Sequence, residues 1–262
     1  MIALERRDGR PLRIGHRGAA ALAPENTIRA FRAARDAGVD AIELDLLRLD
    51  DGEIVVAHSN DLLEVSHGRS RGTVLDKSVT ELRETCPELP TLDDALAWFV
   101  DEAAELGVHA DVKSANAVVD VGGTLRRFGL EERAFVTCAH LRPLRTLARR
   151  EPGLRGALTF PRAVMGISDR GTFAPVARGA LWGIRSALPL LVGILLRSSR
   201  TSALSLHHSV VTARAVERAH ALGAAVIAWT VDDPSDLARM DAAGVDAVVS
   251  NDPGIFASTL RS

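Results

Sequence analysis

The sequence predicts an eight-stranded α/β barrel, and three observations carry that expectation. Eight short apolar or β-branched runs alternate with helix-length segments. Glycine follows five of the helical patterns, at Gly38, Gly107, Gly129, Gly223 and Gly244, where a left-handed C-terminal cap is expected. Polar residues able to do chemistry fall at the carboxyl ends of several strands, the rim where such barrels collect their functional groups. An open doubly wound sheet would also accept the alternation, because strand count does not prove closure.

Taken in order, residues 12–16 (LRIGH) form an apolar run ending on His16, and residues 27–37 carry the first helical pattern. Residues 41–46 (AIELDL) form the second strand, whose acids Glu43 and Asp45 are two apart and so project to one side. Carboxylates inside an apolar strand are costly unless their charge is offset, as a divalent cation would do. Asp51-Gly52 suits a two-residue type I′ turn, which makes residues 54–58 the return arm of a β-hairpin. If Asp50 pairs with Glu53, the register sets Asp45 opposite His58. Further strand patterns occupy residues 108–112, 134–138, 155–159, 203–206, 226–231 and 247–250. Helical patterns occupy 92–106, 115–128, 141–150, 213–222 and 234–243.

Two segments depart from the repeat. Residues 59–90 are polar at first, with Gly68 and Gly72, and read as an excursion over the barrel mouth. Residues 161–202 read as an apolar insertion. Within it, residues 180–196 are interrupted by Arg185, Pro189 and Gly193, which argues against a transmembrane span. Two readings stay open: an apolar lid on the barrel, or an element in peripheral contact with a membrane. The second would place Trp182 and the flanking Arg178, Arg185, Arg197 and Arg200 at the headgroup level.

Size and charge narrow the partners. At 262 residues and 28.0 kDa, the chain suits one barrel domain over residues 1–262, with 47% hydrophobic residues for a core. A net charge of −2 gives no reason to expect nucleic acid. Two distant cysteines, Cys86 and Cys138, and charges as early as Glu5, Arg6, Arg7 and Asp8 fit a reduced cytoplasmic protein.

His16 and Arg17 end the first strand, Glu43 and Asp45 lie in the second, Asp111 and Lys113 end the third, and Trp229 and Thr230 close the seventh. Carboxylate oxygens suit Mg²⁺ or Ca²⁺, a guanidinium suits a phosphate, and two imidazoles can serve as acid and base near neutral pH. Simpler readings stand beside these. Glu43 and Asp45 could pair with Arg17 and Lys113 in a structural network, Trp229 could be core packing, and His109 reads as a packing residue. Asn26 reads as a helix starter, and Glu25 as a mouth-facing partner or a dipole-favoured acid. His207 and His208, after the sixth strand, stand where a substrate contact could be. Gly15 and Gly18 read as room for close backbone approach.

The motifs I-G-H-R-G (14–18), P-E-N-T (24–27), I-E-L-D (42–45), D-G-x-x-V-V-x-H (51–58), D-V-K (111–113), A-W-T-V-D (228–232) and G-V-D-A-V-V-S-N-D-P (244–253) follow in order nearly end to end. In them the chain resembles the glycerophosphodiester phosphodiesterases. That resemblance implies a (β/α)₈ barrel that hydrolyses glycerophosphodiesters to glycerol 3-phosphate and an alcohol with a divalent metal ion. It also implies that Glu43, Asp45 and Asp111 bind the metal and that His16 and His58 act as acid and base. Arg17 and Lys113 would partner phosphate and metal site, and Trp229 would contact substrate. The family usually has glutamate at the position of Asp111 and aspartate at that of Ser59. The apolar run favours, as a second reading, lysophospholipase D-type hydrolysis of lysophospholipids. A third reading, an inactive barrel that binds a phosphorylated ligand, predicts a damaged acid–base pair.

Overall fold

Strand β1 (Leu12–Gly15), buried along its length, begins a sheet that returns to itself. A computed structural model of the chain describes residues 4–162 and 174–259. Next come β2 (Ala41–Arg48), its antiparallel hairpin arm β3 (Ile54–Val56), β4 (Gly107–Val112), β5 (Ala134–Cys138) and β6 (Arg155–Phe160). Strands β7 (Ala203–His207), β8 (Ala225–Trp229) and β9 (Ala247–Ser250) complete the set. All except β3 pair in parallel with their sequence neighbours, and β9 pairs back onto β1 with Leu12 beside Ala247. That pairing closes the eight strands into a barrel and rules out the open sheet.

Strand parity then divides the side chains. Ile42, Leu44 and Leu46 of β2 enter the main core between barrel and helices, while Ala41 belongs to a second core inside the barrel with Leu12, Phe135 and Ile227. Small residues (Ala157, Ala203, Ala225 and Ala247) fill the rest of that inner layer, leaving room for Phe135. Glu43 and Asp45 share the parity of Ala41, so they point inward, higher in the same barrel.

The outer helices α1 (Ile28–Asp36), α4 (Leu92–Asp101), α5 (Val118–Arg127), α6 (Leu141–Arg150), α8 (Ala213–His220) and α9 (Pro234–Ala242) match the helical patterns, with differences at their ends. Helix α4 stops well before residue 106 because the distant Arg133 guanidinium donates to the carbonyls of Phe99, Ala103 and Leu106 at 2.6–2.7 Å. Gly38, Gly129, Gly223 and Gly244 take positive φ as caps, but Gly107 opens β4 instead.

The hairpin corrects the sequence register. Leu46 lies opposite Val56 and Arg48 opposite Ile54, so Asp45 faces Ala57, not His58. The loop holds three residues rather than two: Leu49 N–H donates to Glu53 O, and Gly52 takes φ +101°. His58 reaches the barrel mouth because the chain leaves the sheet after β3. The excursion folds into α2 (Leu62–Val65) and α3 (Val79–Thr85), which close a small third core with Leu49, Val55 and Leu89.

The apolar run at 180–196 belongs to α7 (Ala174–Ser199), a helix that continues through Pro189; the start of the expected insertion, at residues 163–173, lies outside the described residues. The helix occupies the place of the outer-ring helix between β6 and β7 and sends Leu188, Val192 and Leu196 into the main core. The run does pack on the barrel, but as a member of the outer helix ring.

Asp40 ties the start of β1 to β2. It accepts from Arg10 Nη1 at 2.7 Å, Arg10 Nη2 at 3.1 Å and Arg13 N–H at 2.7 Å. Burial works against its charge, but Arg10 and Arg13 hold the carboxyl below its ordinary range. Asp40→Asn is expected to lower stability by about 1–2 kcal/mol at pH 7, read from urea midpoints. A depressed folded pKa gives stabilisation that is complete above the unfolded value, about 4. The gap between wild type and variant should therefore close as pH falls below 4, and a gap that persists at pH 2 would remove the charge argument.

Candidate active site

All eight barrel strands contribute to one cavity of about 230 Å³ at their carboxyl ends. In strand order it is lined by His16, Glu43, Asp111, Thr137, Thr159, Ser205, Trp229 and Val249, joined by Arg17, His58, His109 and Lys113. Every site residue expected from sequence except Asp45 lines this space, and Asp45 lies fully buried beneath it.

The I-G-H-R-G turn is built by close approach. A Cβ on Gly15 would stand 2.2 Å from Gly18 O, and one on Gly18 would stand 2.6 Å from the backbone of Ala30. Gly18 also takes φ +85°. Gly18→Ala is expected to cost roughly 3 kcal/mol or more, a fall in Tm of roughly 6–12 °C. A Tm within 2 °C of wild type would contradict the packing. The turn brings Arg17 N–H to Glu43 Oε2 at 2.7 Å and swings the Arg17 side chain over Asp45.

Glu43, Asp45 and Asp111 each offer an oxygen within 4.8 Å of the others. Lys113 Nζ lies 2.7 Å from Asp45 Oδ1 and also bonds Asp111, while Arg17 Nε lies 3.0 Å from Asp45 Oδ2. Burial alone would raise the Asp45 carboxyl, yet Lys113 and Arg17 pull it well below the ordinary range. Glu43 goes the other way. Burial and then the Asp45 charge push it well up, and Asp45 Oδ1 lacks an aligned hydrogen bond among the described residues. Three buried acids against two cations, with one acid driven toward neutrality, form an oxygen donor set that fits a hard divalent ion.

The two imidazoles are held differently. His16 Nδ1 bonds Asn251 Oδ1 at 2.7 Å, and Asn251 is fixed in turn by Asp232 at 2.6 Å. Burial, and then the Arg17 charge, push His16 down to about 4, so the ring is neutral at pH 7. His58 Nδ1 bonds Glu64 Oε1 at 3.0 Å, which leaves Nε2 as its other ring nitrogen. Ser59 Oγ accepts from Asp61 N–H and begins the turn into α2, the helix that carries Glu64. A smaller cavity, lined by Glu25, Val56, Val65, Cys86 and Leu89, adjoins at His58, so the excursion flanks the mouth.

The structure gives definite supporting roles to residues that the sequence left with open or simpler readings. Asn26 is not the cap of α1, a role taken by Thr27; its side chain instead donates to Asp45 Oδ2 at 2.9 Å and accepts from Asp45 N–H. Glu25 accepts from Arg17 Nη1 with both oxygens at 2.8 Å, which settles it as a mouth-side partner. His109 is more than packing. Its ring stacks on Phe135 at 4.3 Å, and its Nε2 meets Thr137 Oγ1 at 2.9 Å, while that hydroxyl donates to Asp111 Oδ1 at 2.5 Å. His207 packs edge-on against Trp229 with ring centroids 5.1 Å apart, and His208 sits beside Asp236 at 3.2 Å. Asn251, Glu64 and Thr137 are the supports the sequence did not single out, and of these only Asn251 stands in a recognised motif, S-N-D-P.

Residues 16–255 match the glycerophosphoryl diester phosphodiesterase family. A protein of Caldanaerobacter subterraneus subsp. tengcongensis named glycerophosphodiester phosphodiesterase is 26% identical over 95% of this chain and 97% of its own length. The fold is similar to a crystal structure of a glycerophosphodiester phosphodiesterase from Thermotoga maritima, with a TM-score of 0.72, 21% identity and coverage of 96% and 98% of the two chains. It is also similar to a phosphodiesterase from Oleispira antarctica solved with the product sn-glycerol-3-phosphate, at a TM-score of 0.70, 19% identity and coverage of 96% and 97%.

Proposed function

This chain belongs to the glycerophosphoryl diester phosphodiesterase family, and on that premise we propose that it hydrolyses glycerophosphodiesters to glycerol 3-phosphate and an alcohol, using a divalent metal ion and two histidines. The observation that carries this reading is the meeting of three buried acids and two separately oriented imidazoles around one cavity. Glu43, Asp45 and Asp111 would hold Mg²⁺ or Ca²⁺, which when bound neutralises charge on the phosphate. Arg17, anchored through Nε and Nη1 to Asp45 and Glu25, keeps Nη2 for a phosphate oxygen. Lys113 holds two of the acids in place and adds positive charge beside the phosphate.

A neutral His16 can accept the proton of the attacking hydroxyl, either the glycerol 2-OH or water. His58, on the other arm of the mouth, then protonates the leaving alcohol from Nε2. With the 2-OH as attacker, that step forms a cyclic phosphate, which a water then opens with the two histidines exchanging roles. Trp229 lines the cavity and offers an apolar wall to the glycerol or its substituent. With both histidines and all three acids in place, the inactive-barrel reading loses its basis. A reduced cytoplasmic setting is part of the same proposal, resting on two buried cysteines that remain free.

Product analysis on a panel of glycerophosphodiester headgroups with Mg²⁺, Ca²⁺ and Mn²⁺ tests the proposal. Release of glycerol 3-phosphate with at least one metal is expected, and no turnover under any combination overturns it. The exposed Trp182 favours the second reading, a substrate that keeps one acyl chain. Faster turnover of lysophosphatidylcholine than of glycerophosphocholine would establish that reading, and the reverse order would remove it.

A further inference from the structure

We propose that the flank of the barrel formed by α6, α7 and α8 is a docking surface for an anionic lipid bilayer. Two independent features coincide there. The first is charge. Residues 139–216 contain twelve arginines and two acids, Glu151 and Asp169, a surplus of ten positive charges in a chain whose total is −2. On α6, Arg142, Arg145, Arg149 and Arg150 are exposed, as are Arg197 and Arg200 around the end of α7. None of these six forms an ion pair among the described residues, whereas arginines elsewhere pair with acids, as in Arg29–Glu88, Arg32–Glu102, Arg83–Asp94 and Arg127–Asp93.

The second feature is apolar exposure. Among the described residues, five of the eight exposed large apolar side chains lie in this sector: Leu141, Trp182, Leu190, Ile194 and Leu222. Trp182, Leu190 and Ile194 are 72%, 83% and 53% exposed and fall at i, i+8 and i+12, on one face of α7. The opposite face packs into the core through Leu188, Val192 and Leu196, so the helix lies against the barrel with its apolar outer face exposed. Residues 181–199 are apolar enough to cross a membrane by composition, yet only 22% of the qualifying stretch is buried. An apolar outer face beside unpaired arginines matches acyl chains beneath anionic headgroups. A polyanion such as RNA would use the arginines and leave the exposed Trp182 and Leu190 unexplained. The orientation also suits the chemistry: Arg185, near the middle of α7, donates to Ser209 O, just after β7, so Trp182, closer to the helix start, lies toward the catalytic rim.

Sedimentation of the full chain with vesicles tests this without any substrate, so it stands or falls separately from the hydrolytic reading. Binding is expected to vesicles of equal parts phosphatidylglycerol and phosphatidylcholine, at least about 10-fold tighter than to phosphatidylcholine alone, and weakened at about 0.5 M salt. Arg142→Gln with Arg145→Gln and Arg149→Gln should weaken it by roughly 100-fold. Trp182→Ser with Leu190→Ser and Ile194→Ser should weaken it by at least about 10-fold. All the substituted side chains are exposed, and circular dichroism with the thermal midpoint verifies that each variant is folded. No binding of the wild type to anionic vesicles overturns the proposal. So does an apolar triple variant that binds like the wild type, because charge alone would then explain the affinity.

Discussion

His16→Ala and His58→Ala are each expected to lower turnover of a glycerophosphodiester by roughly 100-fold or more, with the fold intact. General acid–base catalysis by a positioned imidazole contributes about 10²–10⁴ in rate, and removal of either partner forfeits that share. Both rings lie in the cavity wall and not in the packed core, so little destabilisation accompanies the loss. The supports make the expectation sharper. Asn251→Ala frees His16 Nδ1 without removing the ring, as Glu64→Ala does for His58. Each should lower kcat by roughly 10-fold, less than loss of the ring itself. Near wild-type rates in either histidine variant would end the acid–base assignment.

Removal of divalent metal is expected to abolish turnover, and Mg²⁺ or Ca²⁺ to restore it. The physical reason is the excess of buried negative charge. Lys113 and Arg17 together pull Asp45 well down, yet Glu43 is still driven up by burial and by Asp45. A further cation would let all three acids ionise, and a bound substrate would add one more negative charge that needs a partner. Asp45→Asn should weaken metal binding by roughly 100-fold or more in titration calorimetry, and turnover should fall with it. Glu43→Gln should do the same. Full activity after EDTA treatment would show that the acids serve only the ion network with Arg17 and Lys113.

The barrel itself was legible because its signals are local and repeated. Apolar runs of strand length and glycines just past helical patterns recur along the chain, and each needs only its own neighbours to be read. The inward pairing of Glu43 with Asp45 followed from strand parity in the same way. What failed depended on partners far away in sequence. Helix α4 ends where Arg133 arrives to take its carbonyls, and Gly107 opens a strand because residues 41–46 lie ready to pair with it. The hairpin register slipped by one because an Asp-Gly pair serves two-residue and three-residue turns alike, and packing of Leu49 and Val55 in the small third core accompanies the longer one.

Sequence alone determined the fold class, the family likeness and which ionisable groups gather at one rim, since periodicity and motif order encode all three. Only the tertiary structure decided how those groups are held: Asn251 behind His16, Glu64 behind His58, Asn26 on Asp45, and Thr137 with His109 on Asp111. The reason is distance. Hydrogen bonds such as that between His16 Nδ1 and Asn251 Oδ1 join residues 235 apart, and they act over about 3 Å of space that no sequence spacing records.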